Sequence, residues 1–115
     1  MTTPVPKRGD IYTVEFGRVE GLLRKARPAV VIQNDIGNEF APHTIVAAIR
    51  SAAGKPDLPI FVPVPKGVAG LGKDSVIDCG HLATVGRDQL GSRWGRLPPD
   101  YERRLDEALR ESLDL

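Results

Sequence analysis

Two apolar runs, AVVI at 29–32 and IVAAI at 45–49, stand close together in the stretch RPAVVIQNDIGNEFAPHTIVAAIRS, joined by a polar segment. Runs this short and this rich in β-branched residues read as strands buried on both faces, since a helix needs roughly ten to twelve residues. Pro28 opens the first run, where a strand tolerates a missing N–H. Ala47 and Ala48 in the second run leave room for close approach by a neighbouring backbone or another subunit. Polar groups mark the outer ends: Arg27 at the entrance of the first run, Arg50 and Ser51 at the exit of the second. The stretch reads as the paired core of a small β-barrel.

The rest of the chain is cut into brief elements. Twelve Gly and ten Pro in 115 residues favour many turns and β structure. GDIYTVEF at 9–16 alternates, with Tyr12, Val14 and Phe16 on one side and Ile11, Thr13 and Glu15 on the other, the pattern of a strand with one buried face. IFVPV at 60–64 is a further strand that Pro63 confines to an edge or a bulge. DSVIDCGHLATV at 74–85 reads as strand, kink at Gly80, strand. Residues 87–90 suit a single helical turn and 93–97 a last short strand carrying Trp94. Residues 34–42, 54–59 and 65–73 read as connections, and 1–8 as a loose lead-in. At the end, Pro99 suits a first helical position, and Asp100 and Glu102 follow where the dipole favours acids. Tyr101, Leu105, Ala108, Leu109 and Leu113 then repeat at three- and four-residue spacing, an apolar stripe that packs on the barrel. The expected fold is mainly β: one domain over 1–115, a small SH3-like barrel of about six or seven strands with a long C-terminal helix.

Composition removes several classes of function. Hydrophobic residues at 41% suit a globular chain. No apolar run approaches the roughly 20 residues that span a bilayer, and MTTPVPKRGD lacks the apolar core of a signal peptide. The lone Cys79 excludes an intrachain disulfide, fits a reducing cytoplasm, and follows a strand as a small core residue. His43 and His81 are far apart and neither has Cys or carboxylate neighbours at ligand spacing, so no metal and no cofactor is expected. GVAGLG at 67–72 does not run from strand into helix and lacks the Lys-Ser/Thr ending of a phosphate loop. The net charge of +1 announces no polyanion, but its distribution does. Arg18, Arg24, Lys25 and Arg27 crowd one loop against Glu20 alone, and the acids of the last helix balance them, which leaves a local anion-binding patch. Leu22 and Leu23 inside that loop suit a lid or a partner contact.

Cleaving RNA without a metal requires a group that helps remove the 2′-OH proton, a cation for the charge growing on the phosphate, and a donor for the leaving 5′-oxygen. The guanidinium fork matches phosphate oxygens, which singles out Arg27. Arg50 and Ser51 add a second cation and a hydroxyl. His81, after the Gly80 kink, is able to act as a base or to stack on a nucleobase.

These residues lie in a recognisable frame. KRGDIYTVEF resembles the R-G-D-I/V-Y/W-x-V-D/N-F opening of the MazF/PemK toxin endoribonucleases, and RPAVVIQND resembles their R-P-A/V-L/V-V-I/L-Q/S-N-D signature. TIVAAI matches the strand that follows, KDSVI the K-D-S-V strand, and LDEALRESLDL the end of the C-terminal helix. The likeness runs in order over 7–115. It implies an SH3-like barrel, a homodimer and a groove at the dimer interface that binds single-stranded RNA, the mRNA that such toxins cut. It also implies metal-independent cleavage to a 2′,3′-cyclic phosphate and a 5′-hydroxyl, and a MazE-like antitoxin whose disordered tail covers the groove. Arg27 matches the family's catalytic Arg before Pro. Glu20, Arg24, Lys25, Asn34, Arg50, Leu58 and Thr84 fall where RNA contact is implied.

Two departures bear on the chemistry. The family commonly has Thr after the V-A-x-I/L strand; here Arg50 stands there and Ser51 follows. Either Ser51 takes the hydroxyl role or Arg50 acts as a second phosphate clamp. Adjacent strand residues face opposite ways, so both line one site only if the strand bends or ends there. The D/E-Q-I/V-R-T segment reads Gly80, His81, Leu82, Ala83, Thr84, which places His81 where the family touches RNA and allows a histidine-assisted mechanism. Arg27, Ser51 and His81 are the catalytic candidates. Two alternatives share the barrel: a gyrase-binding toxin, whose terminal helix ends in Trp-Gly-Ile-type residues unlike Ser112-Leu113-Asp114-Leu115, and a non-catalytic homologue that only binds antitoxin.

Overall fold

The computed structural model describes residues 4–15 and 26–115. Six strands form one antiparallel sheet in the order β4-β5-β3-β2-β1-β6. They are β1 (Asp10–Glu15), β2 (Ala26–Val31), β3 (His43–Ser51), β4 (Phe61–Val64), β5 (Ser75–Gly86) and β6 (Leu90–Arg96), with helices α1 (Asp35–Phe40) and α2 (Pro99–Leu113). The expected mainly-β fold with a long terminal helix is the one observed.

The two apolar runs pair as read: Ala29 faces Ala48 and Val30 faces Ala47 across β2 and β3. Their side chains alternate between two cores. Val30, Ala47 and Ile49 join Leu71, Ile77, Leu105 and Leu109 on one side, while Ala29, Val31 and Val46 join Tyr12, Val14, Val85 and Leu90 on the other. Both faces of the central strands are thereby withdrawn from water, which is why these strands lack polar alternation.

β4 carries Pro63 at the sheet edge, where a missing donor costs no ladder bond. The turn after it, Val68–Gly70, packs on β6 at the opposite edge. A Cβ on Gly95 would lie 2.7 Å from Ala69 O, and one on Gly70 would run into Trp94 O. Backbone meets backbone there, and the two edges of the sheet are drawn together through this contact.

Four expectations need correction. β1 buries both faces at its start, since Ile11 is fully buried beside Leu97 and Leu105; the helix covers the side that alternation assigned to solvent. Residues 34–42 are not a plain connection but hold α1, capped by Asn34, whose Oδ1 accepts from Gly37 N at 2.7 Å. The buried Asn38 anchors α1, accepting from Thr44 Oγ1 at 2.6 Å and donating to Gln33 O at 2.9 Å. Residues 6–8 are tied down: Pro6 is buried, Arg8 Nε donates to Ile32 O at 2.9 Å, and Arg8 pairs with Asp106 of α2 at 2.7 Å. On α2 the buried stripe is Leu105, Ala108 and Leu109, with Leu113 left half exposed.

Candidate functional site

The β2–β3 ladder ends at Ala29 and Ala48. Beyond it, residues 26–28 and 49–51 form two walls of a cavity of about 410 Å³. Pro28 has no N–H to extend the ladder. The connection entering β5 supplies a third wall with Leu71, Gly72, Lys73 and Ser75, and Trp94 closes the rim from β6.

Three cations (Arg27, Arg50 and Lys73) and two hydroxyls (Ser51 and Ser75) line this space, and among the described residues no carboxylate does. Such a wall attracts a phosphodiester and repels a metal cation. No group of three His, Cys, Asp or Glu side chains suited to a metal ion occurs among the described residues.

Arg27 is exposed at the start of β2, opposite Val14 of β1. Among the described residues no carboxylate pairs with it, in contrast to Arg8, Arg93, Arg96 and Arg103, each of which holds an acid. Arg50 is held differently. Its Nε lies 3.3 Å from Asp78 Oδ2, off the hydrogen-bond line, so this contact is ionic only. Its terminal nitrogen meets His81 Nδ1 at 2.5 Å. A guanidinium has donors only, so Nδ1 accepts and the proton of a neutral His81 sits on Nε2.

Arg50 and Ser51 both line the cavity, because β3 ends at Ser51. The condition for both residues to serve one site is met. Ser51 Oγ accepts from Ala53 N at 3.3 Å, which leaves its hydroxyl proton for another acceptor. His81 is not on the cavity wall; it reaches the site through Arg50. A β-bulge brings it there: Ala47 pairs with Leu82 and Ala48 with Asp78, so residues 79–81 are extra on β5. Asp78 Oδ1 fixes the bulge by accepting from Gly80 N at 2.9 Å. Cys79 within it is fully buried, and burial first, then Asp78, pushes its thiol up to about 11. That thiol is a core group, not a nucleophile.

The other candidates fall elsewhere. Asn34 caps α1 at the far end of β2 from Arg27. Thr84 pairs with Ile45, at the opposite end of β3 from Ser51. Leu58 is exposed before β4 and does not line the cavity. Glu20, Arg24 and Lys25 lie outside the described residues, as do Leu22 and Leu23. Lys73, Ser75 and Trp94 were absent from the candidates. The signal for the first two was KDSV itself, a match that carried the resemblance without suggesting a site role. Trp94 had no such signal, because only the pairing of β6 with β1 brings it to the cavity.

Comparison with known proteins bears on this arrangement. A family model described as PemK-like, MazF-like toxin of type II toxin-antitoxin system matches residues 7–113. Endoribonuclease EndoA of Bacillus subtilis is 38% identical over 112 residues, 96% of this chain and 97% of that protein. The Mycobacterium tuberculosis toxin MazF-mt6 shares the fold with a TM-score of 0.77 at 27% identity, over 92% of this chain and 97% of its own. An endoribonuclease in complex with its cognate antitoxin from mycobacterial species does so with a TM-score of 0.82 at 21% identity, over 96% of each chain.

Proposed function

This chain belongs to the PemK-like, MazF-like toxins of type II toxin–antitoxin systems, and on that premise we propose that it is a metal-independent endoribonuclease that cuts single-stranded mRNA at the cavity between β2 and β3. The observation that carries this reading is the convergence of Arg27, Arg50, Lys73 and Ser51 on one cavity that no carboxylate lines among the described residues. It seats a phosphodiester between cations fixed on separate strands.

In the reaction the 2′-oxygen attacks the adjacent phosphorus and the P–O5′ bond breaks, leaving a 2′,3′-cyclic phosphate and a 5′-hydroxyl. Arg27, which no acid neutralises among the described residues, stabilises the charge on the phosphorane and hydrogen-bonds the departing 5′-oxygen until solvent protonates it. Ser51 donates its hydroxyl proton as a hydrogen bond to a non-bridging oxygen. His81 takes the 2′-OH proton at Nδ1. That nitrogen is occupied by Arg50 in the free protein, and an incoming phosphate competes for the guanidinium and frees it. Arg50 and Lys73 then hold the scissile and flanking phosphates, and exposed Leu58 extends the contact along the strand. We assign no RNA contact to Asn34 or Thr84. The protein acts in the cytoplasm as a homodimer, and a MazE-like antitoxin inhibits it by laying an acidic, apolar tail over the basic cavity.

The test is incubation of the purified protein with one long RNA in EDTA, with cut ends mapped by primer extension. Discrete cuts are expected, and Arg27→Ala should lower the rate by about 10²-fold or more without changing the urea midpoint. No discrete cuts, or the same cuts at the same rate from Arg27→Ala, would remove the reading.

A further inference from the structure

Trp94 is the one tryptophan of the chain, and four features set it apart. It joins neither core cluster and is 39% exposed. It is the extra residue of a β-bulge: Ile11 pairs with Gly95 and Tyr12 with Arg93, one step on β1 against two on β6. Bulges re-aim side chains, and they are frequent beside functional sites. Its indole nitrogen donates to Thr13 Oγ1 at 2.6 Å, which satisfies the polar edge and fixes the ring plane. Its backbone is held from the other side, where Gly70 sits so close to Trp94 O that no Cβ fits.

The result is a rigid aromatic surface on the rim of the cavity that Arg27, Arg50 and Lys73 line. Large apolar side chains kept half exposed with the polar atom already satisfied offer a flat surface for a flat ligand. Nucleobases of single strands stack on such rings, and the stacking adds to backbone contacts made by neighbouring cations. We propose that Trp94 is a nucleobase-stacking subsite, which seats a base of the strand whose phosphate occupies the Arg27 cavity. This deepens the endoribonuclease reading and rests on it for the identity of the strand.

Because Trp94 is the sole tryptophan, its emission reports this subsite alone. A mixed-sequence oligodeoxynucleotide, which lacks the 2′-OH and is not cut, should quench the emission of the full chain saturably. An abasic strand of the same length should bind through its phosphates without quenching. Trp94→Ala should weaken binding of the base-bearing strand and raise KM for RNA by roughly 5- to 150-fold, with kcat changed less. Trp94→Phe should recover most of the loss and keeps an aromatic face at the bulge, so a folding defect in the alanine variant does not decide the outcome. Equal quenching by the abasic strand, no quenching by the base-bearing one, or an emission that follows protein concentration instead of nucleic acid overturns the subsite; the last outcome marks Trp94 as a protein interface. A protein that cuts RNA with its emission unchanged loses the subsite and keeps the nuclease. One that is quenched as described but never cuts RNA keeps the subsite and loses the nuclease.

Discussion

Replacing Gly95 with alanine places one methyl group where the fold has left no room for it. The new Cβ would lie 2.7 Å from Ala69 O and 2.8 Å from Ala69 C. Ordinary contacts are about 3.5 Å or more, so the Val68–Gly70 turn must retreat from β6 by several tenths of an ångström. The obstructing atoms are backbone and cannot rotate away. Overpacking of this kind costs about 1–3 kcal/mol, and the reduced freedom of the unfolded chain returns about 0.4–1 kcal/mol. The net loss is about 1.3 kcal/mol at the middle of these ranges. With a urea slope of about 2 kcal/mol/M, the midpoint should fall by roughly 0.6 M. Gly72→Ala, just past the same turn, is the control: its Cβ meets nothing within 4 Å, and its midpoint should equal or slightly exceed that of the parent. Gly91→Ala, with its nearest atom at 3.2 Å, should fall between them. Urea unfolding followed by far-ultraviolet circular dichroism measures all three. A Gly95→Ala midpoint at or above that of Gly72→Ala would refute the claim that backbone contact between the turn and β6 draws the sheet edges together.

Leu105→Ala should cost about 3–5 kcal/mol in urea unfolding, because Leu105 is fully buried between α2 and the sheet. Cys79 should resist thiol reagents at pH 8 until denaturant is added, since a thiol pushed up to about 11 holds roughly a thousandth as thiolate at that pH. The folded thiol binds its proton more tightly than the unfolded one, whose ordinary value is 9.0, so its contribution is present below about 9 and lost as pH rises through about 11; the urea midpoint of the parent should fall more steeply over that window than that of Cys79→Ala. Lys73→Ala should reduce the slope of log affinity for single-stranded RNA against log salt by about 0.7, one phosphate contact's share, with no change in slope arguing that Lys73 does not face the strand.

Elements with a local signature were legible in the residues. The buried strand pair showed in its unbroken β-branched runs, the edge position of β4 in Pro63, and the face of α2 in the spacing of Leu105, Ala108 and Leu109. The short helix α1 was not legible. Its six residues include a glycine, and it owes its place to Asn38 bonding Thr44 and Gln33, contacts that no periodicity records. The both-sided burial of β1 was missed for the same reason: the cover over Ile11 comes from Leu97 and Leu105, far along the chain.

The site divides along this line. From the residues alone came Arg27 and the pair Arg50-Ser51, because each ends an apolar run and polar groups at strand ends reach the surface. A cavity at those ends was not contained in the sequence. It exists because the β2–β3 ladder stops at Ala29 and Ala48, while the β4–β5 connection folds back to bring Lys73. Two bulges then decide the remaining positions, one carrying His81 to Arg50 and one turning Trp94 onto the rim. Register is a relation between strands: the one-residue shift at Trp94 leaves no mark on the local pattern, the three-residue shift before His81 shows locally only as the kink at Gly80, and each moves every side chain beyond it. Residue types set which chemistry was available to this chain, and long-range pairing set which of those residues meet.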